Sequence, residues 1–249
     1  KNSKVTEDIS LKSDIRVIWG GDTTINEIKK IKTQPNCLDL TFPDRFSLSI
    51  INLEKINNTN VKDLVTNFYN DSLFMDQNAC SSPHLVLWYS KNKNKKQQKK
   101  KQFWSLLSEH IFKHYKTDDE IFYRKYIKYC ENIIKFNNNI RSSKLHFQNI
   151  FISDLKNLNF NISDLRGLAG TFYQYDTKNL KDIEKVMDVK LQTINYFGFE
   201  KSEFVNFFSK PLSKNGILRI VKVGQALDMT NIWDGYDIIK TMSKIIEIK

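Results

Sequence analysis

The segment Ile15–Trp19 (IRVIW) is a short apolar run that stops at Gly20-Gly21-Asp22-Thr23-Thr24, after which apolar residues return at 25, 28 and 31. A short apolar run bounded by glycines reads as a buried strand, and the spacing behind it reads as the first turns of a helix. The glycine pair makes the turn, and Asp22 or Thr23 is the expected N-cap. A helix that starts directly off a strand points to an α/β architecture with parallel strands.

The rest of the chain repeats that alternation. Strands are expected at Cys37 to Phe42 and Phe46 to Asn52, with a turn at Pro43-Asp44 between them. A helix follows from Val61 to Phe74, with Val61, Leu64, Val65 and Phe68 on one face. After the polar stretch MDQNACSSP comes the apolar strand HLVLWY, His84 to Tyr89. Helices are expected from about Gln98 to Tyr115 and from Tyr123 to Phe136. The Asn-rich region 137–165 suggests a small hairpin around LHFQNIFI. Strand Gly170–Tyr175, helix Leu180–Met187, strand Gln192–Phe197, helix Ser202–Phe208 and strand Leu218–Val223 complete the pattern. Gly and Pro are scarce, and neither an internal repeat nor a flexible linker is visible.

At 249 residues with 40% apolar content, the chain is long enough to bury a substantial core. No apolar run approaches the roughly 20 residues that span a bilayer. The opening KNSKVTEDIS carries no signal-peptide pattern, so a cytoplasmic location is expected. The net charge of +11 invites a nucleic-acid reading, but residues 91–101 (KNKNKKQQKKK) hold seven lysines and no acid. Without that segment the remainder carries +4, so the basicity belongs to one loop. The loop reads first as solvated surface, and second as a contact for the phosphates of coenzyme A or for an acidic partner. It lacks the interleaved aromatics of a single-strand-binding surface. It also lies beyond Cys80 across one strand, which places it at that strand's other end.

The cysteines Cys37, Cys80 and Cys130 form no CxxC pair, which argues against a disulfide framework and a zinc site. Cys37, in an expected strand, and Cys130, on a tyrosine-rich helix, read as structural. Cys80 differs, because small and polar residues surround it between a helix and a strand. Backbone amides there suit both a thiolate and a developing oxyanion. His84, four residues on, is near enough in sequence to help ionise the thiol, although a strand start favours a structural role. His110 and His114 share a helix face at metal-ligand spacing, but the order EHxxxH shows no third ligand. The turn at Gly20 and Gly21 lets backbone N–H groups approach a phosphate. It is not GxGxxG, and Asp22 opposes a pyrophosphate unless it caps the helix.

Taken together, these segments resemble the aldehyde dehydrogenase superfamily, and within it the acyl-CoA reductases of bacterial luminescence systems. VIWGGDTTI, FPDRFSLSII, FMDQNACSSP, RGLAGTFYQYD, LQTINYFGF, GILRIVKVG and WDG occur in the family's order. The resemblance implies an α/β fold. The end of a Rossmann-like cofactor domain would occupy residues 1–55, a catalytic domain 56–235, and a tail 236–249. It implies that Cys80 is the acyl-accepting nucleophile and that NADPH is the cofactor, with Gly20, Gly21 and Thr23 along its phosphates. Asp164 aligns with a carboxylate that holds the nicotinamide ribose. A fatty acyl-CoA or acyl-protein substrate, a homo-oligomer and an acyl-protein synthetase partner are further implications; no metal and no nucleic acid are expected. Counting back from Arg45 puts Thr41 where oxidising members carry a Glu base, which favours reduction over hydrolysis. Trp233 stands where the luminescence family has a His. The chain opens on Lys1, close to a cofactor-domain strand, so an upstream part is expected to be missing. An inactive partner-binding member and a basic nucleic-acid module stay open as alternatives; only the latter predicts steep salt dependence.

Overall fold

The computed structural model describes residues 3–92, 96–116, 118–146, 150–208 and 216–249. Part of the lysine segment (93–95) and part of the expected hairpin (147–149) therefore lie outside the described residues. The chain forms two compact units, one from Lys1–Asp44 with Met229–Lys249, the other from Arg45–Asp228.

The first unit begins with α1 (Ser3–Lys12), β1 (Ile15–Trp19), α2 (Asp22–Lys29) and β2 (Leu38–Phe42). β1 and β2 pair in parallel, Val17 opposite Leu40, as the strand–glycine–helix pattern requires. Arg16 holds the unit together, because its guanidinium grips both oxygens of Asp39 at 2.7 Å. It also donates to the carbonyls of Ile28 and Ile31 at the end of α2. The N-cap of α2 is Gly21, with no side-chain cap, and not Asp22 or Thr23. Both of those residues already lie within the helix, where their side chains cannot fold back as caps.

The second unit is built on a seven-stranded sheet. Its elements run β3 (Phe46–Asn52), α3 (Val61–Leu73), β4 (Pro83–Tyr89), α4 (Lys96–His114), α5 (Asp119–Lys135), β5 (Ile140–His146) and β6 (Ile150–Leu155). After them come β7 (Thr171–Thr177), β8 (Leu191–Phe197), α6 (Lys201–Phe208) and β9 (Arg219–Lys222). The spatial order is β5-β6-β7-β4-β3-β8-β9, parallel throughout except for the antiparallel β5. Parallel strands need cover on both faces, and β3 is buried at all of its positions. Trp88, Phe172 and Ile152 pack under α3 and α4 on one face. Leu48, Leu87, Tyr173 and Ile194 face α5, α6 and the loops on the other. The helix expected at Leu180–Met187 is a 3-10 helix over Leu180–Val186.

The boundary expected at residue 55 thus moves to Asp44. β3 hydrogen-bonds to β4 and β8, so residues 46–52 are the centre of the second unit and no part of the first. The expected tail 236–249 likewise joins a larger segment of the first unit. There β10 (Ile232–Trp233) and β11 (Tyr236–Asp237) form a hairpin whose turn, Asp234-Gly235, has positive φ at both positions. A short α7 (Ile238–Thr241) follows.

Asp71, near the end of α3, ties three distant pieces of the second unit together. Its carboxylate accepts from Asn195 Nδ2 at 2.6 Å, from the Gly224 N–H at 2.7 Å and from the Ala226 N–H at 2.9 Å. Burial nonetheless dominates, raising its pKa from 3.8 to about 6. The folded state then holds a proton that the unfolded state has released between about pH 4 and pH 6. Stability from this group is full below the unfolded pKa and is lost as pH rises through the folded one. Relative to Asp71→Asn, the protein should lose on the order of 3 kcal/mol between pH 4 and pH 7. Urea unfolding of both proteins at the two pH values measures it, and a constant difference would contradict this account.

Candidate active site

Cys80 lies in the loop between α3 and β4, at the N-terminal edge of the parallel strands, and its side chain is half-buried. The loop is held in an unusual shape. Asp76 and Gln77 both have positive φ, 52° and 61°, a region costly for residues other than glycine. Their side chains explain how it persists. Gln77 is buried, donates Nε2 to the carbonyls of Pro83 and Thr171 at 3.0 Å, and accepts from the N–H groups of Gly170 and Thr171. Asp76 accepts from the Tyr115 hydroxyl at 2.5 Å. Burial, and after it that bond, push the tyrosine's pKa well above its ordinary value.

The strands add a second set of restraints. Ser47 Oγ donates to the Cys80 carbonyl at 2.7 Å and accepts from the Thr193 N–H at 3.1 Å. At Ser47 the register slips on both sides of β3. Ser47 pairs with Pro83 and Leu48 with Leu85, which skips His84; Phe46 pairs with Leu191 and Ser47 with Thr193, which skips Gln192. Such irregularities re-aim side chains next to active sites. Here the skipped Gln192 points Nε2 at Cys80 Sγ, 3.3 Å away.

The skipped His84 has another task. Its Nδ1 accepts from the Gly167 N–H at 3.0 Å, and its ring stacks on Phe46. Full burial, with Arg166 nearby, lowers its pKa to about 3. A histidine that stays neutral supplies no positive charge to ionise a thiol, so its role is structural. Gly167 cannot be replaced there, because an added Cβ would lie 1.9 Å from the Thr171 carbonyl oxygen.

The other expected site residues are spread between the units. Gly20, Gly21 and Thr23 lie in the first unit, at the start of α2. A Cβ on Gly21 would meet nothing within 4 Å, so the turn is open to approach. Thr41, on β2, is half-buried in the same unit. Asp164 belongs to the second unit, at the end of a 3-10 turn, exposed and 3.8 Å from Lys135. Cys37 and Cys130 are half-buried. The rings of His110 and His114 lie 4.4 Å apart, tilted by 38°, and among the described residues no three His, Cys, Asp or Glu side chains converge as metal ligands.

The lysine segment is less of a loop than its composition suggests. α4 begins at Lys96, and the buried Lys100 bonds Asp176 at 3.0 Å. Lys96 also reaches Asp176, and Lys99 caps the Leu53 carbonyl. This end of β4 is the edge opposite to Cys80, as the sequence leads one to expect. Among the described residues no helix is long and apolar enough to cross a membrane.

The sequence sets Cys80 apart but not Gln192, one of three polar residues in LQTINYF with Thr193 and Asn195. Comparison with known proteins places the chain in a family. Residues 1–245 match the family described as acyl-CoA reductase (LuxC). No curated protein matches the chain. Among solved structures, the substrate-bound AldH of Staphylococcus aureus is similar with a TM-score of 0.56 at 12% identity, over 88% of this chain and 48% of that one. A putative aldehyde dehydrogenase PutA from Anabaena variabilis gives 0.59 at 9% identity, over 92% and 51%. A putative methylmalonate-semialdehyde dehydrogenase from Sinorhizobium meliloti, complexed with NAD, gives 0.56 at 10%, over 89% and 48%. The chain therefore has an aldehyde-dehydrogenase-like fold and spans about half the length of these proteins.

Proposed function

Because the chain belongs to the acyl-CoA reductase (LuxC) family, we propose that it takes part in NADPH-dependent reduction of a long-chain fatty acyl-CoA, or another acyl thioester, to the aldehyde. The observation that carries this reading is Cys80, an accessible thiol on a loop that is tightly restrained and lies at a sheet edge. In the proposed cycle the Cys80 thiolate attacks the thioester carbonyl, and coenzyme A leaves as its thiolate. The energy of the thioester is kept in the acyl-enzyme. A bound NADPH supplies the hydride that reduces this thioester. Collapse of the hemithioacetal oxyanion re-forms C=O, breaks C–Sγ and returns the Cys80 thiolate. One proton is consumed, by the coenzyme A thiolate, and water suffices to provide it. The cycle therefore tolerates Trp233 where the luminescence family has a His.

The remaining residues suit this assignment. Gly20, Gly21 and Thr23 would border the cofactor's phosphates, since the helix start is open at Gly21 and carries no side-chain cap. Asp22 in the first turn keeps that contact from being a strong one. The family resemblance assigns Asp164, exposed and 3.8 Å from Lys135, to the nicotinamide ribose. Phe74 and Met75, large apolar residues left exposed beside the thiol loop, suit an acyl chain.

Reaction direction tests the proposal. Thr41 offers no carboxylate to activate water, so the acyl-enzyme should wait for hydride and not hydrolyse. With acyl-CoA and NADPH, the full-length natural polypeptide should yield aldehyde with free fatty acid as a minor product. Thr41→Glu should raise the acid fraction severalfold. Rapid acid formation from aldehyde by the unaltered protein would overturn the proposal.

A further inference from the structure

Gln192 stands out once the register is followed. In regular pairing it would oppose a residue of β3, but the slip between Phe46 and Ser47 leaves it unopposed. Its side chain is completely buried, where a primary amide needs defined partners. Nε2 lies 3.3 Å from Cys80 Sγ, and Oε1 accepts from Thr193 Oγ1 at 3.2 Å. Both ends of the sulfur contact depend on one residue, since Ser47 Oγ binds the Cys80 carbonyl and the Thr193 N–H together. Ser47 thereby ties the backbone at Cys80 to the backbone beside Gln192.

We infer that Gln192 is a catalytic residue, whose side-chain amide donates to Cys80 Sγ and holds negative charge on that sulfur both before attack and as it departs. The inference rests on the reading of Cys80 as the nucleophile. Its chemistry follows from the three states of the sulfur in one turnover. As a thiolate it is a strong acceptor; as the thioester sulfur of the acyl-enzyme it is a weak one; during collapse it becomes a thiolate again. Donors bind charged acceptors roughly twice as strongly as neutral ones. The amide thus favours the two charged states over the thioester between them.

Those two states place opposing demands on it. A donor increases the thiolate fraction but lowers the nucleophilicity of each thiolate, so attack gains only part of the benefit. Departure gains all of it, because a stabilised thiolate leaves faster. Gln192 should therefore matter more for aldehyde release than for acylation. In collapse the electron pair of the C–Sγ bond passes to sulfur while the oxyanion's pair forms C=O, and no proton moves. An amide, which does not titrate, suits that step better than a histidine.

Two measurements test this. Alkylation of Cys80 by iodoacetamide, followed on the Cys80 peptide by mass spectrometry across pH, reads the thiol's ionisation with no substrate present. Gln192→Leu should move the midpoint up by about one pH unit, a tenfold loss of thiolate at neutral pH. Gln192→Glu, nearly isosteric and so the safer fold, should move it further, because a carboxylate repels the thiolate. In single-turnover reduction by the full-length natural polypeptide, aldehyde release should slow more than acylation in both variants. Unchanged midpoints in Gln192→Glu, with Cys80 still acylated at the normal rate, would overturn the role of Gln192 and leave that of Cys80 standing. Acylation that persists in Cys80→Ala would instead overturn the nucleophile itself.

Discussion

Given a labelled long-chain acyl-CoA and no reductant, the full-length natural polypeptide is expected to retain the label covalently on Cys80, and Cys80→Ala to retain none. The contrast should be complete, because no neighbour can replace a sulfur nucleophile. Ser81, beside it, is buried, and among the described residues its hydroxyl has no hydrogen-bond partner to act as a base. Cys37 and Cys130 are half-buried at other places in the fold, on the approach to β2 and on α5. Double substitution of those two should leave labelling intact. Label that survives in Cys80→Ala would remove the basis for every other statement about the reaction.

Gln77→Leu should have the next largest effect, and it should appear first in stability. Four backbone groups, the carbonyls of Pro83 and Thr171 and the N–H groups of Gly170 and Thr171, lose the Gln77 amide at once, and the Thr171 N–H keeps the Leu168 carbonyl. Stranding buried polar groups costs about 1–3 kcal/mol apiece before relaxation, so a net loss on the order of 3–5 kcal/mol is expected. Leucine would also face a φ of 61° without any compensating bond. Urea unfolding reads the loss, and slower, less selective alkylation of Cys80 should accompany it. Gln77→Glu gives a sharper control, since a carboxylate keeps the acceptor role but cannot donate to the two carbonyls. Buried beside those oxygens, the new carboxyl should have a raised pKa. The variant should therefore be most stable below the unfolded carboxyl pKa of about 4.3 and weaken as pH rises. A Gln77→Leu protein as stable as the parent would show that the latch is incidental.

How much of this was legible beforehand depended on whether the deciding interaction was local. β1 and β3 appear at the residues their apolar runs mark, 15–19 and 46–52, because runs bounded by turns leave little choice of boundary. α1 was missed, since its apolar residues are few and Val5, Ile9 and Leu11 remain exposed. Lysines normally signal solvent, so α4, expected from about Gln98, starts two residues earlier at Lys96, where Asp176 and the Leu53 carbonyl supply partners from elsewhere in the chain. The same holds at the site. Cys80 announced itself through small and polar neighbours. His84 offers a possible activator whose place at a strand start favours a structural role, and its bond to Gly167 fits the structural role. Gln192 was hidden for a further reason: a register slip belongs to a pair of strands and leaves no trace in either one.

The distance along the chain between Cys80 and its sulfur donor also bears on how the protein is made. Gln192 follows Cys80 by 112 residues. At roughly 5–20 residues per second, a ribosome needs on the order of ten seconds to bridge that gap. Throughout that interval the emerging thiol lacks the amide and stays close to the reactivity of any unstructured cysteine, largely protonated at neutral pH. Acyl thioesters in the surroundings meet a poor nucleophile. β8 cannot dock beside β3 until it has been synthesised, and docking is what brings Nε2 to the sulfur. On the role inferred for Gln192, the thiol becomes competent for acylation only after β8 has docked beside β3.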